Sequence, residues 1–377
     1  MVNFRYYVIY ILATLIRFFP FPTKTGIRQI GSPDADSPVL VTGNYILTVE
    51  LLKKELQGLN LFLLVANSRG INIWCAATGG HFTNHDIVSI LKTSGIDQLV
   101  NHRRYILPQL AATGIEPKII RKKTGWHGTW GPIRAADVKE YLTDKDTSGS
   151  IRTVDFPLKD RIDMAIAWAF LMSAIFALSL AFFSINAMII AIILCWYIAL
   201  VMFITFPLFE PWYQEAKEGD TPSVKTRIIY PLVIAITGIP VYIILINYLS
   251  ISPVFYTIMP ILGGIIILMV SMDLKGSTPV FKSDMIEDRI FDIKLYEERC
   301  HGAADCVTVC PKNCFVFDDE RRKVSIPRPE LCVQCGACVV QCPFDALYLQ
   351  NKEGDILGPD ILREYKLNLM GKRAIEK

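Results

Sequence analysis

Residues 332–343 read Cys-Val-Gln-Cys-Gly-Ala-Cys-Val-Val-Gln-Cys-Pro. The spacing is C-x2-C-x2-C-x3-C-P without a deviation, and thiolates so spaced hold an iron–sulfur cluster. A disulfide or zinc knot is the plain alternative; the strict spacing and the Cys-Pro ending argue against it. Eight of the ten cysteines fall between Cys300 and Cys342. Cysteines used as metal ligands indicate a reducing, cytosolic setting. Thiols gathered so closely behind a long apolar stretch suit electron transfer near a membrane.

A second run precedes it. Cys300-His301-Gly302-Ala303-Ala304-Asp305-Cys306-Val307-Thr308-Val309-Cys310-Pro311 has Ala303 where the second cysteine of the motif would stand. The paired runs resemble two-cluster ferredoxins, and C-x5-C-x3-C-P is similar to archaeal ferredoxins that often hold a 3Fe–4S cluster there. In that topology the fourth cysteine of each run ligates the other cluster. The resemblance therefore implies a 4Fe–4S site at Cys310, Cys332, Cys335 and Cys338. It leaves Cys300, Cys306 and Cys342 for a second cluster, either 3Fe–4S or 4Fe–4S with one non-cysteine ligand. Cys314 follows Cys-Pro-Lys-Asn, where a free thiol commonly lies beside the cluster. It becomes a ligand only if the loop rearranges. An apolar strand after each Cys-Pro, at Phe315–Phe317 and Ala346–Leu349, marks the internal pseudo-two-fold repeat.

The chain has 377 residues and a formal net charge of +3, with no basic stripe of interleaved aromatics, which argues against a nucleic-acid partner. A hydrophobic fraction of 52% and a mean hydropathy of +0.35 point to membrane spans. Four apolar stretches, Met164–Phe183, Ile185–Pro207, Ile228–Leu249 and Pro253–Val270, are each long enough to cross a hydrocarbon core of about 30 Å as a helix. The third contains Pro231, Gly238 and Pro240 and is expected to kink. Basic residues alternate with neutral turns. Arg152, Lys159 and Arg161 precede the first span, Lys217, Lys225 and Arg227 lie in loop Leu208–Arg227, and Lys275 and Lys282 follow the last. The turns at Ser184 and Ser250–Pro253 carry no charge. Under the positive-inside bias the protein is a multi-pass cell-membrane protein in contact with lipid, with both flanking domains cytoplasmic. The short apolar segment Phe4–Phe19 reads as an interfacial anchor helix; a fifth span is the alternative.

Between them, residues 30–155 have the composition of a soluble α/β domain. Apolar runs at Val39–Val41, Leu61–Val65 and Ile71–Trp74 read as buried strands, and helical patterns lie at Ile46–Leu56, Asn84–Lys92 and Ala135–Leu142. The periodicity alone licenses a layered α/β domain with a parallel sheet, in which ligands bind beyond the carboxyl ends of strands. The stretch Asn72-Ile73-Trp74-Cys75-Ala76-Ala77-Thr78-Gly79-Gly80 occupies such a place. Thr83 or Asn84 can cap the next helix, with Asp86 in its first turn. Cys75 is the only cysteine of this domain. A lone cysteine after a strand is commonly a small buried hydrophobe. Here Ala76, Ala77, Gly79 and Gly80 remove bulk beside the thiol and would let a large flat ligand approach the backbone.

Asn72–Ala77, Asn101-His102-Arg103-Arg104, Ile106-Leu107-Pro108-Gln109-Leu110 and Gly131-Pro132-Ile133-Arg134-Ala135-Ala136-Asp137 together resemble the membrane corrinoid protein of the microbial mercury-methylation pair, a distant relative of the corrinoid iron–sulfur protein. The resemblance covers most of residues 35–155, and a Rossmann-like fold is the expectation that goes with it. In that family a membrane block follows and the partner is a separate small ferredoxin, so this chain looks like the two fused. The resemblance implies a cobalamin-type corrinoid with Cys75 as the lower axial ligand of cobalt and as the catalytic residue. Asn72 is then the hydrogen-bonding neighbour of that ligand. Trp74, Ala76, Ala77, Gly79 and Gly80 are the remaining expected cofactor contacts, with Trp74 expected to pack under the sheet rather than to touch the cofactor. His102 suits a structural role. Arg103 and Arg104 suit either corrin carboxamides and phosphate or a solvated surface.

Two departures weaken mercury as the substrate: Thr78-Gly79-Gly80 replaces a Gly-Lys-Gly pattern, with His81 following, and Leu367–Lys377 has no cysteine. The reading divides the chain into an anchor (1–29), a corrinoid-binding α/β domain (30–158), a helical transmembrane domain (159–272) and an α+β two-cluster ferredoxin domain (273–377). It implies a corrinoid-dependent methyltransferase-like enzyme of an anaerobic metabolism. The ferredoxin would reduce the cobalt, and the partners would be an electron donor and a methyl donor, protein or small molecule. The other reading is a membrane iron–sulfur electron-transfer protein with a degenerate N-terminal binding module.

Overall fold

A computed structural model describes residues 4–143, 149–215, 229–276, 291–367 and 373–375. The chain forms two compact units. One contains the described residues up to 13, from 19 to 154 and from 291 onward. The other contains residues 14–18 and the described residues from 155 to 276. The regions on either side of the apolar block in sequence are thus one unit in space.

Helix α1 spans Phe4–Leu15 and belongs to the first unit as far as Ala13. Its twelve residues rise about 18 Å, short of a bilayer core of about 30 Å. Tyr6, Ile9 and Ala13 are buried, while Phe4, Tyr7, Ile11 and Leu12 are exposed. One face is thus buried and the exposed face is apolar as well. Then come β1 (Gly26–Ile30), β2 (Val39–Gly43), α2 (Ile46–Glu55), β3 (Leu61–Ala66), α3 (Ile73–Thr78), α4 (Asn84–Thr93), α5 (Ile96–Leu99) and β4 (Arg104–Pro108). A 3-10 turn at Gln109–Thr113, α6 (Pro117–Thr124), β5 (His127–Gly131) and α7 (Val138–Thr143) follow. The strands form one sheet in the order β1-β3-β2-β4-β5. β2, β3, β4 and β5 are parallel and β1 is an antiparallel edge. Every residue of β2 and β3 is buried, as expected of parallel strands covered on both faces.

Two of the three expected strands and all three expected helices are present. The third strand is not: Ile73 and Trp74 open helix α3. Asn72 is the reason, since its side-chain oxygen accepts the Cys75 N–H at 3.0 Å and caps the helix. At α4, Thr83 is the cap; its N–H and hydroxyl both reach Asp86 Oδ2, at 2.8 and 3.0 Å.

The second unit holds four helices long and apolar enough to cross a membrane: α8 (Leu158–Leu180), α9 (Ile185–Glu215), α10 (Tyr230–Tyr248) and α11 (Pro253–Gly276). Their seam is an apolar cluster around Ala165, Ile190, Leu194, Met202, Phe203 and Val270. Pro240 and Pro260 lie inside α10 and α11. Pro260 cannot donate to the Tyr256 carbonyl one turn earlier, and the Tyr242 hydroxyl takes that acceptor at 3.0 Å. Trp168 Nε1 donates to Asp273 Oδ2 at 2.8 Å. Lys217, Lys225, Arg227 and Lys282 lie outside the described residues.

The C-terminal part of the first unit comprises β6 (Phe291–Leu295), α12 (Asp305–Val309), β7 (Val316–Asp318), β8 (Lys323–Ser325), α13 (Ala337–Gln341), β9 (Leu347–Asn351), β10 (Ile356–Leu357) and α14 (Pro359–Glu364). β10-β9-β6 is an antiparallel sheet and β7-β8 a hairpin. The expected repeat is present in the backbone. Counting from Cys300 and Cys332, left-handed residues recur in register: Gly302 and Gln334, Ala304 and Gly336, Asn313 and Asp345, Arg322 and Gly354.

Candidate functional site

α3 carries Cys75 in its first turn, past the carboxyl end of β3. The thiol is half-buried. Asn72 holds it at two points: besides the cap to the Cys75 N–H, its Nδ2 donates to Cys75 Sγ at 3.3 Å. A donor aimed at sulfur favours the thiolate, the form that binds metal.

The neighbouring small residues divide into two groups. Ala76 and Ala77 are fully buried. They were expected to open the surface beside the thiol and instead face the sheet core. A Cβ on Gly114 would meet Ala77 O at 2.8 Å, so these alanines seat α3 on its own domain. Gly79 and Gly80 do close the helix beside Cys75. A Cβ on Gly79 would come within 2.9 Å of Cys75 O, and Gly80 has φ +74°. Trp74 is partly exposed and lies outside the apolar core beneath the sheet, contrary to the packing expected of it from sequence.

Sequence reasoning passed over the residues that follow. His81 lies against Gly79, and its Nδ1 is buried without a partner, as is Thr78 Oγ1. Burial, reinforced by the Arg69 charge, holds the His81 imidazole below its ordinary pKa, so it is neutral near pH 7. Only the departure from the Gly-Lys-Gly pattern, with His81 following Gly80, pointed there. His102 is structural: its Nε2 meets Ser37 O at 3.0 Å. Arg103 lies over the Trp126 ring at 5.3 Å, committed to its own surface.

Neighbouring thiols act on one another in two overlapping sets. Burial first, then the neighbouring Cys342 and Cys300 thiols, push Cys306 up to about 12. Burial, then Cys335, Cys332, Cys310 and Cys306, push Cys338 up strongly. Backbone N–H groups of Cys314, Gln334 and Ala346 point at Cys310, Cys332 and Cys342 sulfurs at 3.3, 3.4 and 3.4 Å. Such hydrogen bonds favour anionic, metal-binding sulfur. Cys310, Cys314, Cys332, Cys335 and Cys338 line a common hollow. Cys314 is buried on this side, bonded to Cys310 and Cys332, and not beside the three-cysteine group.

The two sites share a junction inside the first unit. The 3-10 turn Gln109–Thr113 lies against α3 on one side and against α12 and α13 on the other. Its Ala112 is fully buried with Val309 and Ala337, and Trp130 and Cys335 pack against that contact. Gln341 Nε2 donates to Ala112 O and Ile115 O at 2.8 and 2.7 Å. Arg363 stands 3.6 Å from Glu116 while also bonding Asp345, Val340 O and Cys342 O. Lys312 reaches Val154 O at 3.0 Å.

Known families match the two parts separately. Residues 17–142 match the family described as CO dehydrogenase/acetyl-CoA synthase delta subunit. Residues 288–351 match the 4Fe-4S dicluster domain. The chain is similar to the acetyl-CoA decarbonylase/synthase complex subunit gamma of Archaeoglobus fulgidus, at 32% identity over 125 residues, 33% of this chain and 26% of that protein. The Methanopyrus kandleri subunit gamma is 30% identical over 125 residues, 33% of this chain and 27% of that protein. Subunit gamma 2 of Methanosarcina mazei is 35% identical over 97 residues, 25% of this chain and 21% of that protein. The chain spans about a quarter of the length of these relatives.

Proposed function

We propose that this chain is a multi-pass membrane corrinoid protein with its own two-cluster ferredoxin domain, serving a methyl-transfer reaction. One observation carries the reading. A half-exposed cysteine, held by an asparagine that caps its helix and donates to its sulfur, lies in the same compact unit as two grouped sets of cysteines. The match of residues 17–142 to the CO dehydrogenase/acetyl-CoA synthase family supports it.

The residues fit a corrinoid. Cys75 supplies a soft thiolate, Gly79 and Gly80 present no side chain beside it, and two buried polar atoms next to them lack a partner. When bound, a corrinoid supplies a cobalt that accepts and passes on a methyl group. The chain's own part is to hold and tune it. Cys75 ligates, Asn72 orients the sulfur and limits its charge, and the neutral His81 offers a polar contact without a proton to lose near pH 7. The cysteine groups, docked through Ala112 and Gln341, supply electrons from within the unit. The shared unit supports both parts lying on one side of the membrane, since parts on opposite faces of a bilayer cannot touch; the positive-inside bias makes that side the cytoplasm.

Anaerobic purification with cobalt and iron analysis tests the reading. The expected protein carries both metals and shows corrin bands that change in Cys75→Ala. Iron–sulfur absorbance without cobalt, after expression in a corrinoid-producing host, would leave the electron-transfer reading standing instead.

A further inference from the structure

We infer that α1 is a strap with two working faces, one fixed to the α/β domain and the other sunk into the headgroup–acyl boundary of the bilayer, so that it ties the domain carrying Cys75 to a lipid surface. The inference rests on the membrane reading of the four long helices. It does not depend on the corrinoid or on the cysteine groups.

The two faces follow from helical spacing. At about 100° per residue, Phe4, Tyr7, Val8, Ile11 and Leu12 fall on one stripe, and Tyr6, Ile9 and Ala13 fall on the opposite one. The second stripe is buried. The first is exposed, with Phe4 at 81% and Ile11 at 56%. It carries five large hydrophobic side chains and no charge. A contiguous patch of this kind marks an interaction surface.

The buried stripe is held on α2. Lys54 Nζ lies over the Tyr6 ring, 5.1 Å from its centroid, and Arg5 reaches Glu50 at 4.0 Å. Glu50 in turn accepts from Lys53 at 2.7 Å. A helix fixed to a protein surface along one side is not surrounded by lipid, and twelve residues are too few to cross a bilayer. Only the outward stripe is free to enter the boundary region, as an interfacial helix does.

Lipid is the occupant that the surroundings favour. The apolar surface continues beyond the helix, since Phe18 and Phe19 are exposed as well. Residues 14–18 already belong to the second unit, where the Phe18 ring meets Trp168 of α8 edge-on at 5.4 Å. Trp168 combines an apolar ring with an N–H bonded to Asp273, the character that places tryptophan where lipid meets water. The exposed stripe is thus continuous along the chain with the helices read as membrane spans. Arg5 and Arg17 stand near its two ends. The Arg5 side chain is 67% exposed, and its guanidinium can reach headgroup phosphates while the apolar side chains sink.

The test places the photo-reactive residue benzoylphenylalanine at Ile11, and separately at Tyr7, in the full chain in its native membrane. Neither replacement touches the buried stripe, and two positions guard against one failing to fold. Irradiation is followed by mass spectrometry of the peptide that carries the residue. The expected adduct is a phospholipid. Leu178, 76% exposed on α8, is the reference position. Lipid adducts at Leu178 with none at Ile11 or Tyr7 overturn the inference alone. Lipid adducts at none of the three overturn the membrane reading with it. A doubled chain mass puts a second copy on the stripe and overturns the inference, as does an adduct with any other protein. A fifth span would also collect lipid, so Phe4→Cys is treated with an impermeant maleimide. The strap leaves it unlabelled on intact cells and labelled once detergent strips the lipid. Labelling on intact cells makes α1 a span, and no labelling even in detergent means that protein covers the stripe; either result overturns the inference.

Discussion

Gln341 donates its side-chain amide to the carbonyl of Ala112 at 2.8 Å, joining the cysteine-bearing α13 to the turn that supports α3. The same nitrogen serves Ile115 O at 2.7 Å. Gln341→Leu leaves both carbonyls without this donor at a partly buried contact, a loss of about 1–3 kcal/mol. Glu116→Arg replaces attraction with repulsion at Arg363 and leaves the cysteine loops untouched. Both variants should retain full iron content. Amide hydrogen exchange should accelerate at residues 109–116, and the double variant should exceed either single one. Unchanged protection there would show that the apolar contact of Ala112, Val309 and Ala337 holds the junction alone.

Asn72 performs two tasks that substitution can separate. Asn72→Asp keeps an oxygen for the Cys75 N–H and loses the donor to sulfur, placing a negative charge beside it. Asn72→Ala loses both. Cys75 should be alkylated more slowly in Asn72→Asp at pH 7.5, by about tenfold for each 1.4 kcal/mol of thiolate stabilisation removed. Mass spectrometry of the Cys75 peptide after timed iodoacetamide treatment measures this. Equal rates would mean that the 3.3 Å contact does not bias the thiol.

How far the sequence reached depends on the range of the signal. The cysteine groups were legible because ligand spacing is local and the repeat restates it. The four long apolar helices were legible because length and composition decide them. β4 and β5 were missed. One opens on Arg104 and the other contains Gly128 and Gly131, so neither shows an apolar run. They exist because parallel neighbours pair with them: Leu40 with Ile106, and Ile106 with Thr129. Ile71–Trp74 misled in the opposite direction. Three apolar residues out of four fit a strand, yet Asn72 as a cap and the alanines after Cys75 favour a helix. The inward turn of Ala76 and Ala77 follows from that helix and could not be read before it. The junction through Gln341 was invisible, since it joins positions 229 residues apart.

His81 sets a pH dependence whose sign can be worked out. Its folded pKa lies below the ordinary 6.5, chiefly through burial and then through Arg69. Between the two values the unfolded chain binds more protons, so stability rises with pH. The contribution is complete above about pH 6.5 and is lost as the pH falls toward the folded value. Urea midpoints, monitored through the α/β domain, should fall on acidification across that window. The fall should be shallower in His81→Gln. Arg69→Ala should reduce it partly, since burial remains. An identical slope in His81→Gln would place the titration elsewhere.

The topology makes the native cysteines into a test. Cys195 is buried within α9, and the other nine lie in the first unit, at Cys75 and from Cys300 to Cys342. If the basic ends of the four helices are cytoplasmic, an impermeant maleimide applied to intact cells meets none of these thiols. The turns at Ser184 and Ser252 are then outside. Phe183 is 78% exposed and Ser252 is exposed, so a cysteine at either place is reachable without disturbing a contact. Phe183→Cys and Ser252→Cys should label on whole cells, the unaltered chain should not, and Asp155→Cys should label only after permeabilisation. Position 220 lies outside the described residues but belongs to the loop that the charge pattern places inside; a cysteine there should behave like Asp155→Cys. Labelling of the unaltered chain on intact cells would invert the orientation. The cysteine groups would then face an oxidising compartment, incompatible with the role assigned to them.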